Sequence, residues 1–182
     1  MIKKFENYLN LELKDSGLSF GNNVNISNDV IFHNPQNIII GDNVRIDSQC
    51  IIIAGKNTKI KIGNNIHISA GCYFYGNSGN ITLEDFVTVS GRCTLYTAND
   101  DYVEGYLTNP CVNIELRKVN VGDILIKEYS IIGCNSTILP NVTLEKATAC
   151  GAYSFIKNST QQYDKIVGIP TKVIGKRGKI HI

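Results

Sequence analysis

The chain of 182 residues is 43% hydrophobic and 19% charged, with a formal net charge of +2 at pH 7, which is ordinary for one soluble domain with a sizeable core. Basic residues are concentrated only near the C-terminus, at Lys172, Lys176, Arg177 and Lys179, which argues against a nucleic-acid-binding surface. No segment has the apolar length of a signal peptide or a transmembrane helix, so we expect a cytoplasmic protein.

Residues 1–19 precede the repetitive part of the chain and are interpreted as a short N-terminal cap. The turn-forming residues Asp15, Ser16 and Gly17 lie near its end. A cap is expected because the first coil of a repetitive β-structure would otherwise expose an open edge to another chain.

From residue 20 onward, one apolar position recurs every six residues. An amphipathic helix repeats near 3.6 residues and a half-buried strand repeats every two, so neither keeps an aliphatic residue in phase at six for this long. A hexapeptide repeat is typical of a β-helix. The in-phase aliphatic residues are Ile40, Ile46, Ile52, Ile62, Ile68, Leu83, Val89, Leu95, Ile126, Ile132, Ile138, Leu144 and Ile156.

Runs rich in glycine and asparagine mark corners of this β-helix. Ile40, Ile62 and Ile132 each open such a run, with Gly-Asp-Asn, Gly-Asn-Asn and Gly-Cys-Asn following them. Glycine, and less readily asparagine or aspartate, adopts the left-handed backbone conformation that a tight corner demands. The spacing predicts triangular coils of three hexads plus short surface hairpins, stacked through parallel backbone hydrogen bonds from about Phe20 to Lys157.

Six cysteines occur without CxxC or Cys/His ligand spacing, so we expect buried reduced thiols rather than disulfides or a metal site. Cys150 keeps the six-residue register. Cys50, Cys72 and Cys93 each lie two residues before an in-phase position, where a small inward residue fits. Cys111 lies in a loop and is the exception.

The period breaks once inside the chain and ends after Ile156. Leu95 and Ile126 are 31 residues apart, which is not a multiple of six, so residues 97–120 are predicted to leave the β-helix as one protruding loop. Long loops in compact domains tend to be functional. Residues 158–182 are interpreted as a short tail, and residues 1–182 as a single domain.

From about Phe20 to Arg177 the chain resembles a known family, the short hexapeptide-repeat acetyltransferases, and two stretches are the most specific part of the resemblance. Residues 132–156 are similar to the last two coils of that family, and Gly168, Pro170 and Lys172 match its C-terminal Gly-x-Pro-Ala-Lys pattern. The resemblance implies an all-β fold, a left-handed parallel β-helix of hexapeptide repeats. Within the family, the chain looks most like sugar O-acetyltransferases of surface-polysaccharide biosynthesis.

The same resemblance implies a homotrimer with active sites in the grooves between subunits, and acetyl-CoA lying along the last coils. Small residues or backbone amides would bind the pantetheine chain, and basic side chains would bind the CoA phosphates. For the glycines a plain corner is the alternative, and for Lys157 and Arg177 a solvated charge. The residues carried over are Gly133, Gly151, Ala152 and Ser154 for pantetheine, and Lys157, Lys172 and Arg177 for the phosphates.

Acetyl transfer to a hydroxyl requires a general base, because an alcohol is a poor nucleophile at neutral pH. Histidine is the natural base, and the chain has three. His181 lies at the chain end, and His33 lies in a short insertion. His67 lies between two inward aliphatic residues and must therefore point outward from its strand. We predict His67 as the base, with an exposed or interface-packing histidine as the alternative.

The protruding loop lacks the histidine that many family members carry there, and has Asn99, Asp100 and Asp101 instead. These residues either orient His67 or contact the sugar, or an aspartate is itself the base. A solvated aspartate is a feeble base for a hydroxyl, although it can serve an amine. The alternative is a turn whose carboxylates cap their own backbone amides. The predicted residues are His67 and Asp100 for catalysis, and Asn99, Asp101, Tyr96 and Tyr102 for the acceptor.

Tyr96, Tyr102 and Tyr106 lie in and beside the loop, where their rings suit the apolar C–H faces of a sugar, or could equally anchor the loop on a neighbouring subunit. The predicted function is acetyl transfer from acetyl-CoA to a hydroxyl of a sugar or glycan, in capsule, lipopolysaccharide or related glycan biosynthesis. The alternatives are N-acetylation of a nucleotide-linked amino sugar and, more remotely, a non-enzymatic scaffold. No metal is expected, because a zinc site of three coil histidines lacks its third ligand.

Overall fold

The structure, a computed structural model, describes residues 16–181 and consists mainly of short strands. Residues 1–15 of the cap predicted for residues 1–19 lie outside the described residues. In chain order the strands are β1 (Ser19–Phe20), β2 (Asn25–Ile26), β3 (Ile31–His33), β4 (Ile38–Ile40), β5 (Arg45–Ile46), β6 (Ile51–Ala54), β7 (Ile60–Ile62), β8 (His67–Ile68), β9 (Tyr73–Gly76), β10 (Ile81–Leu83), β11 (Thr88–Val89) and β12 (Thr94–Tyr96). They continue with β13 (Ala98–Asp100), β14 (Val119–Val121), β15 (Ile124–Ile126), β16 (Ile131–Ile132), β17 (Thr137–Ile138), β18 (Val142–Leu144), β19 (Ala149–Cys150), β20 (Phe155–Ile156), β21 (Asp164–Val167) and β22 (Lys172–Lys176), and short 3₁₀ helices cover Pro35–Asn37 and Ile114–Leu116.

Three sheets form the sides of a prism, and each coil contributes one strand to each sheet. Sheet A contains β1, β4, β7, β10, β15 and β18; sheet B contains β2, β5, β8, β11, β16, β19, β21 and β22; and sheet C contains β3, β6, β9, β12, β17 and β20. Equivalent residues of successive coils pair in parallel, as Ile46 does with Ile68 and Val89 with Ile132. The predicted left-handed parallel β-helix is therefore confirmed.

The core consists of apolar columns that run along the inside of the prism. Every in-phase aliphatic residue of the six-residue period is at most 2% exposed. Full burial of one such side chain contributes roughly 1.5–3 kcal/mol relative to exposure, so the columns are the main source of stability. The six-residue period predicts these inward positions because each side of the prism is one hexad long and has one such position.

A column of cysteines lies at the B–C corners, the turns that join a strand of sheet B to the next strand of sheet C. The thiols of Cys50, Cys72 and Cys93 each donate to a backbone carbonyl of the next coil over 3.2 Å. These three residues and Cys150 are buried, Cys111 is exposed, and all are free thiols. The prediction of buried reduced cysteines is confirmed for this column.

The A–B corners, which join sheet A to sheet B, differ from the prediction in which residue is left-handed. At the corner after β4, Asn43 has a φ of 56°, whereas the φ of Gly41 is not positive. Glycine is needed at Gly41 for another reason, because a Cβ there would lie 2.7 Å from the carbonyl oxygen of Gly63 in the next coil. Asparagine thus makes the turn, and glycine permits the close approach of the coils.

After β12 the chain leaves the prism through β13 and returns through β14, and these two strands pair as an antiparallel hairpin. We call residues 98–121 the hairpin excursion. The amide of Gly122 donates to the carbonyl of Thr97 over 2.9 Å, so the two ends of the excursion meet. Because β15 pairs directly with β10, the stacking of the coils continues past the excursion.

Residues 158–182, interpreted as a tail from the sequence, contribute two further strands. β21 extends sheet B in parallel beside β19, with Ile166 buried, and β22 turns back antiparallel along β21. The hexapeptide period does not reveal β21, because Ile166 follows Ile156 by ten residues rather than six.

Candidate functional site

Asp100 ends β13 in the hairpin excursion and is held by Arg117, a residue that the sequence pattern does not single out. Asp100 Oδ1 accepts a hydrogen bond from Arg117 Nη2 over 3.2 Å, and Oδ2 accepts a long one of 3.4 Å from the amide of Asn109. The Asp100 side chain is 32% exposed. Its carboxylate is therefore oriented at one oxygen and remains accessible to a ligand.

Asp101 caps the turn that follows β13. Its carboxylate accepts hydrogen bonds from the amides of Val103, Glu104 and Tyr106 at 3.0–3.1 Å. These bonds, led by the one from Glu104, lower the pKa of Asp101 to about 2. The structure favours the capping alternative for Asp101 over the predicted contact with an acceptor, because both oxygens are engaged within the loop.

The other predicted acceptor residues lie at different places in the excursion and on the strand that precedes it. Asn99 Oδ1 accepts a hydrogen bond from Asn120 Nδ2 across the hairpin over 3.2 Å. Tyr102 is almost fully exposed. Tyr96 stacks on Tyr75 on the outward face of sheet C, with ring centroids 4.9 Å apart, and burial raises the pKa of Tyr96. Of this group, Tyr102 is the side chain most open to a ligand.

His67 points outward from β8, as predicted, and belongs to a chain of three polar side chains on sheet B. His67 Nε2 lies 2.8 Å from Asp47 Oδ2, and Asp47 Oδ1 accepts a hydrogen bond from Arg45 Nε over 2.6 Å. Burial by itself raises the pKa of Asp47, but the hydrogen bonds to His67 and Arg45 outweigh it and hold this pKa below its usual value. An ionised Asp47 favours the tautomer with the proton on Nε2, which leaves Nδ1 as the proton acceptor.

Asp47 was not singled out from the sequence, although a signal existed. The pairing of β5 with β8 places Arg45, 22 residues earlier, directly beside His67, and Asp47 is the next outward residue after Arg45. An acidic residue two positions after the residue that pairs with an outward histidine is thus the pattern that predicts such a contact.

The B–C corners of the last two coils contain the residues predicted to bind pantetheine. The amides of Gly133 and Gly151 already donate to Cys150 and Ile166. A Cβ on Gly133 would lie 2.4 Å from the backbone nitrogen of Ala152, so close packing of the coils by itself requires this glycine. The corner alternative therefore accounts for Gly133 without a ligand.

Ser154 and Ala152 differ sharply in exposure. Ser154 is 2% exposed, its hydroxyl donates to the carbonyl of Gly151 over 2.7 Å, and its amide donates to Ser136 Oγ. The Ser154 side chain completes the inward column that the cysteines begin and is not accessible to a cofactor, so its position does not support the predicted cofactor-binding role. Ala152 is exposed, and its amide makes no hydrogen bond within residues 16–181. Ala152 thus presents a free donor on the surface of the corner.

The three basic residues predicted for the CoA phosphates are not brought together. Lys157 and Lys172 are exposed, and Lys172 opens β22 opposite Val167. Arg177 follows the other end of β22, about 16 Å away along an extended strand, where its Nη1 donates to the carbonyl of Tyr129 over 2.7 Å. Lys157 and Lys172 remain candidates for phosphate contacts, whereas Arg177 is committed to the β-helix itself.

Residues 16–181 contain no cluster of three or more His, Cys, Asp or Glu side chains that could hold a metal ion. The same part of the chain has no helix that is long and apolar enough to span a membrane.

No family model matches the chain. It is 38% identical over 170 residues to the dTDP-4-amino-4,6-dideoxy-D-glucose acyltransferase of Escherichia coli, which covers 93% of this chain and 88% of that protein. AntD, an N-acyltransferase from Bacillus cereus crystallised with dTDP-4-amino-4,6-dideoxyglucose and coenzyme A, superposes with a TM-score of 0.87 at 37% identity, over 92% of this chain and 88% of AntD. The polySia-specific acetyltransferase NeuO, at 23% identity and a TM-score of 0.60 over 91% of this chain and 77% of NeuO, shares the fold.

The chain is 38% identical to the E. coli acyltransferase over nearly the whole length of both proteins, and its structure consists of stacked hexapeptide coils. The chain therefore belongs to the hexapeptide-repeat acyltransferases of the left-handed β-helix fold.

Proposed function

We propose that the protein transfers an acyl group from acyl-CoA to the amino group of a nucleotide-linked 4-amino sugar. The observation that carries this proposal is the similarity to the E. coli enzyme named for dTDP-4-amino-4,6-dideoxy-D-glucose. AntD, similar over nearly all of the chain, is an N-acyltransferase crystallised with this nucleotide sugar and coenzyme A. The comparison favours the amino-sugar alternative over the sequence-based preference for a hydroxyl acceptor.

The reaction would proceed by direct attack of the amine on the thioester. The amine nitrogen bonds to the carbonyl carbon, the C–S bond breaks, the amine loses one proton, and coenzyme A leaves as the thiol after taking up a proton. An unprotonated amine is already a good nucleophile, so a carboxylate that orients it and accepts a proton during attack is sufficient. Asp100 has an accessible carboxylate of this kind, and we assign this role to it.

The variants of AntD that have been crystallised support the choice of Asp100. They include substitutions of one serine and of one aspartate ten positions later. This chain has Ser90 and Asp100 at the same spacing. Ser90 lies at the B–C corner in the column that continues to Gly133, and its hydroxyl makes no hydrogen bond within residues 16–181. We propose that Ser90 and Asp100 face the acceptor and the thioester from two sides.

The acyl-CoA would bind at the B–C corners of the last coils. The free amide of Ala152 suits an amide oxygen of the pantetheine chain, and Lys157 and Lys172 suit the phosphates, since a lysine ammonium is a compact positive charge. AntD has also been crystallised with 3-hydroxybutyryl-CoA, so the acyl group need not be acetyl. The product keeps its nucleotide, the form that glycosyltransferases consume, which agrees with the predicted place in glycan biosynthesis.

A second candidate function, acetyl transfer to a sugar hydroxyl, rests on one observation. His67 hydrogen bonds to the ionised Asp47, and such a pair is suited to deprotonating an alcohol. The pair lies on sheet B, whereas Asp100 lies in the hairpin excursion after sheet C. Substitution of His67 and of Asp100, one at a time, separates the two functions.

The acceptor class is tested with two nucleotide sugars that differ at one atom. We expect release of the coenzyme A thiol from acetyl-CoA at least about 10²-fold faster with dTDP-4-amino-4,6-dideoxyglucose than with dTDP-6-deoxyglucose, which has a 4-hydroxyl in place of the amine. Mass spectrometry of the first reaction should show one added acetyl group. Equal or faster release with the hydroxyl compound would contradict the proposal and support the second candidate.

The homotrimer predicted from the resemblance has a suitable surface in sheet C. Its outward face over the first four coils consists mainly of isoleucine and tyrosine, with His33 and Thr94 as polar exceptions, whereas the outward positions of sheet B include Arg45 and His67. Burial of an apolar face of this kind drives subunit association. We propose that the trimer buries this face of sheet C and closes the active site between subunits. The apolar and aromatic outward residues of this face are Ile31, Ile51, Ile53, Tyr73, Tyr75 and Tyr96.

A charge on this face should dissociate the trimer. Ile51→Asp places three unpaired carboxylates in the proposed interface, each at a cost of several kcal/mol. We expect light scattering to report the mass of one chain, 20.1 kDa, and acyl transfer to be lost. The matched control is Ile39→Asp, an exposed outward isoleucine of sheet A, which should keep three chains together. A trimer that persists in Ile51→Asp would refute this interface.

A further inference from the structure

We propose that Arg117 is the positioning residue of the active site: it acts through Asp100 by holding one carboxylate oxygen, so that the other faces the amine. The inference rests on the proposed function and deepens it, because it assigns a role to a residue outside the hexapeptide pattern. It is carried by the register of the hairpin excursion, the burial of the guanidinium and an unpaired donor on it.

The hairpin register places Arg117 on the same face as Asp100. Asp100 pairs directly with Val119, so Arg117, two residues before Val119, is its diagonal neighbour across the strands. The backbone of Arg117 is also fixed, because its amide donates to the carbonyl of Ile114 over 3.2 Å and its residue forms a bridge with Leu107. Arg117 is therefore presented to Asp100 from a defined backbone position.

The burial of Arg117 distinguishes it from the next basic residue in the chain. The Arg117 side chain is 18% exposed, whereas Lys118 is 50% exposed and pairs with Glu104 at the surface of the excursion. A guanidinium that is largely buried beside a carboxylate has lost most of its hydration, which costs free energy. A contact that only joined two exposed strands would not need this loss of hydration. The excursion thus keeps one arginine inside it, next to Asp100, and one lysine outside.

The Nε–H of Arg117 is buried and has no hydrogen-bond partner within residues 16–181. A buried unpaired donor is unfavourable, and natural proteins rarely retain one without a reason. The guanidinium makes one bond to Asp100 although its fork of donors could make two. This arrangement holds Oδ1 and leaves Oδ2, which has only the 3.4 Å contact with the Asn109 amide, free to accept a hydrogen bond from the amine.

The test compares Arg117→Gln with its neighbour Lys118→Gln, which removes an equal charge from the outer side of the same excursion. We expect Arg117→Gln to lower kcat with the amino sugar by about 10- to 100-fold, as for misplacement of a reacting group by about 1 Å, with little change in the KM of acetyl-CoA. Arg117→Lys, which restores one charged donor, should recover part of the loss. Lys118→Gln should keep kcat within about twofold.

A double-mutant cycle separates positioning from an independent role. In the Asp100→Asn background, Arg117→Gln should cause little further loss, because Arg117 acts only through the carboxylate. Multiplied losses would overturn the inference, as would an Arg117→Gln enzyme that matches Lys118→Gln. A raised KM for the nucleotide sugar with unchanged kcat, together with a lower thermal midpoint, would show a structural role and also overturn it. If the wild-type enzyme acylates no amino sugar, the proposed function fails first, and the role of Arg117 fails with it.

Discussion

Asp100→Asn lowers kcat for acyl transfer to the amino sugar by about 10²- to 10⁴-fold, if Asp100 accepts the proton of the attacking amine. Asparagine has nearly the same size, and its carbonyl oxygen can still accept the hydrogen bond from Arg117 Nη2, so the excursion should keep its conformation. What the variant loses is the negative charge and the ability to take a proton. Steady-state kinetics with both substrates varied measures this loss, and the KM of acetyl-CoA should be nearly unchanged.

The same kinetic measurements on His67→Ala test the alternative that His67 is the base. The substitution removes a half-exposed ring and its hydrogen bond to Asp47, and a solvent-accessible polar contact of this kind contributes little to stability. We expect kcat with the amino sugar to stay within about threefold of the wild-type value, since an amine does not require a histidine base. A loss of 10² or more in His67→Ala, with Asp100→Asn nearly unaffected, would return the assignment to His67 and to a hydroxyl acceptor.

Gly133→Ala destabilises the protein by about 3 kcal/mol, the upper range for overpacking a dense region. The new Cβ would lie 2.4 Å from the nitrogen of Ala152 and 2.6 Å from the carbonyl carbon of Gly151, and both are backbone atoms of the next coil. Relief therefore requires the two coils to separate, which weakens the parallel hydrogen bonds between them. A drop of roughly 10 °C in the midpoint of thermal unfolding should be measured.

Gly91→Ala is the control for this substitution. Gly91 lies at the neighbouring position of a B–C corner, where the equivalent residues of other coils are Ala70, Cys134 and Ala152. A Cβ at Gly91 would meet its nearest atom, the carbonyl oxygen of Ala70, at 3.2 Å. We expect a loss below about 1 kcal/mol. A Gly133→Ala protein as stable as Gly91→Ala, but with weakened coenzyme A binding, would show that Gly133 is kept for the ligand rather than for the corner.

The sequence predicted correctly, residue by residue, which side chains are buried inside the prism. Ile40, Ile62 and Leu83 mark the same inward place in three coils, and all three are buried. The role of the corner glycines could not be predicted, because the sequence shows which residue is small but not which backbone atom approaches it. Ser154 illustrates the same difficulty, since its pattern resembles a binding motif while its hydroxyl is bonded inside the corner.

The β-helix, its inward columns and the place where the chain leaves it follow from the six-residue period, because burial of aliphatic side chains repeats with the period of the coil. Which outward groups meet is visible only in the folded molecule. The pairing of Asp47 with His67 depends on the number of residues inserted at the corners between them, and the pairing of Asp100 with Arg117 depends on the register of a hairpin that has no hexapeptide period. Polar contacts on the outside of a solenoid depend on how the coils stack and on the register between strands. The six-residue period of inward residues would be the same for any set of outward contacts, so it does not predict them.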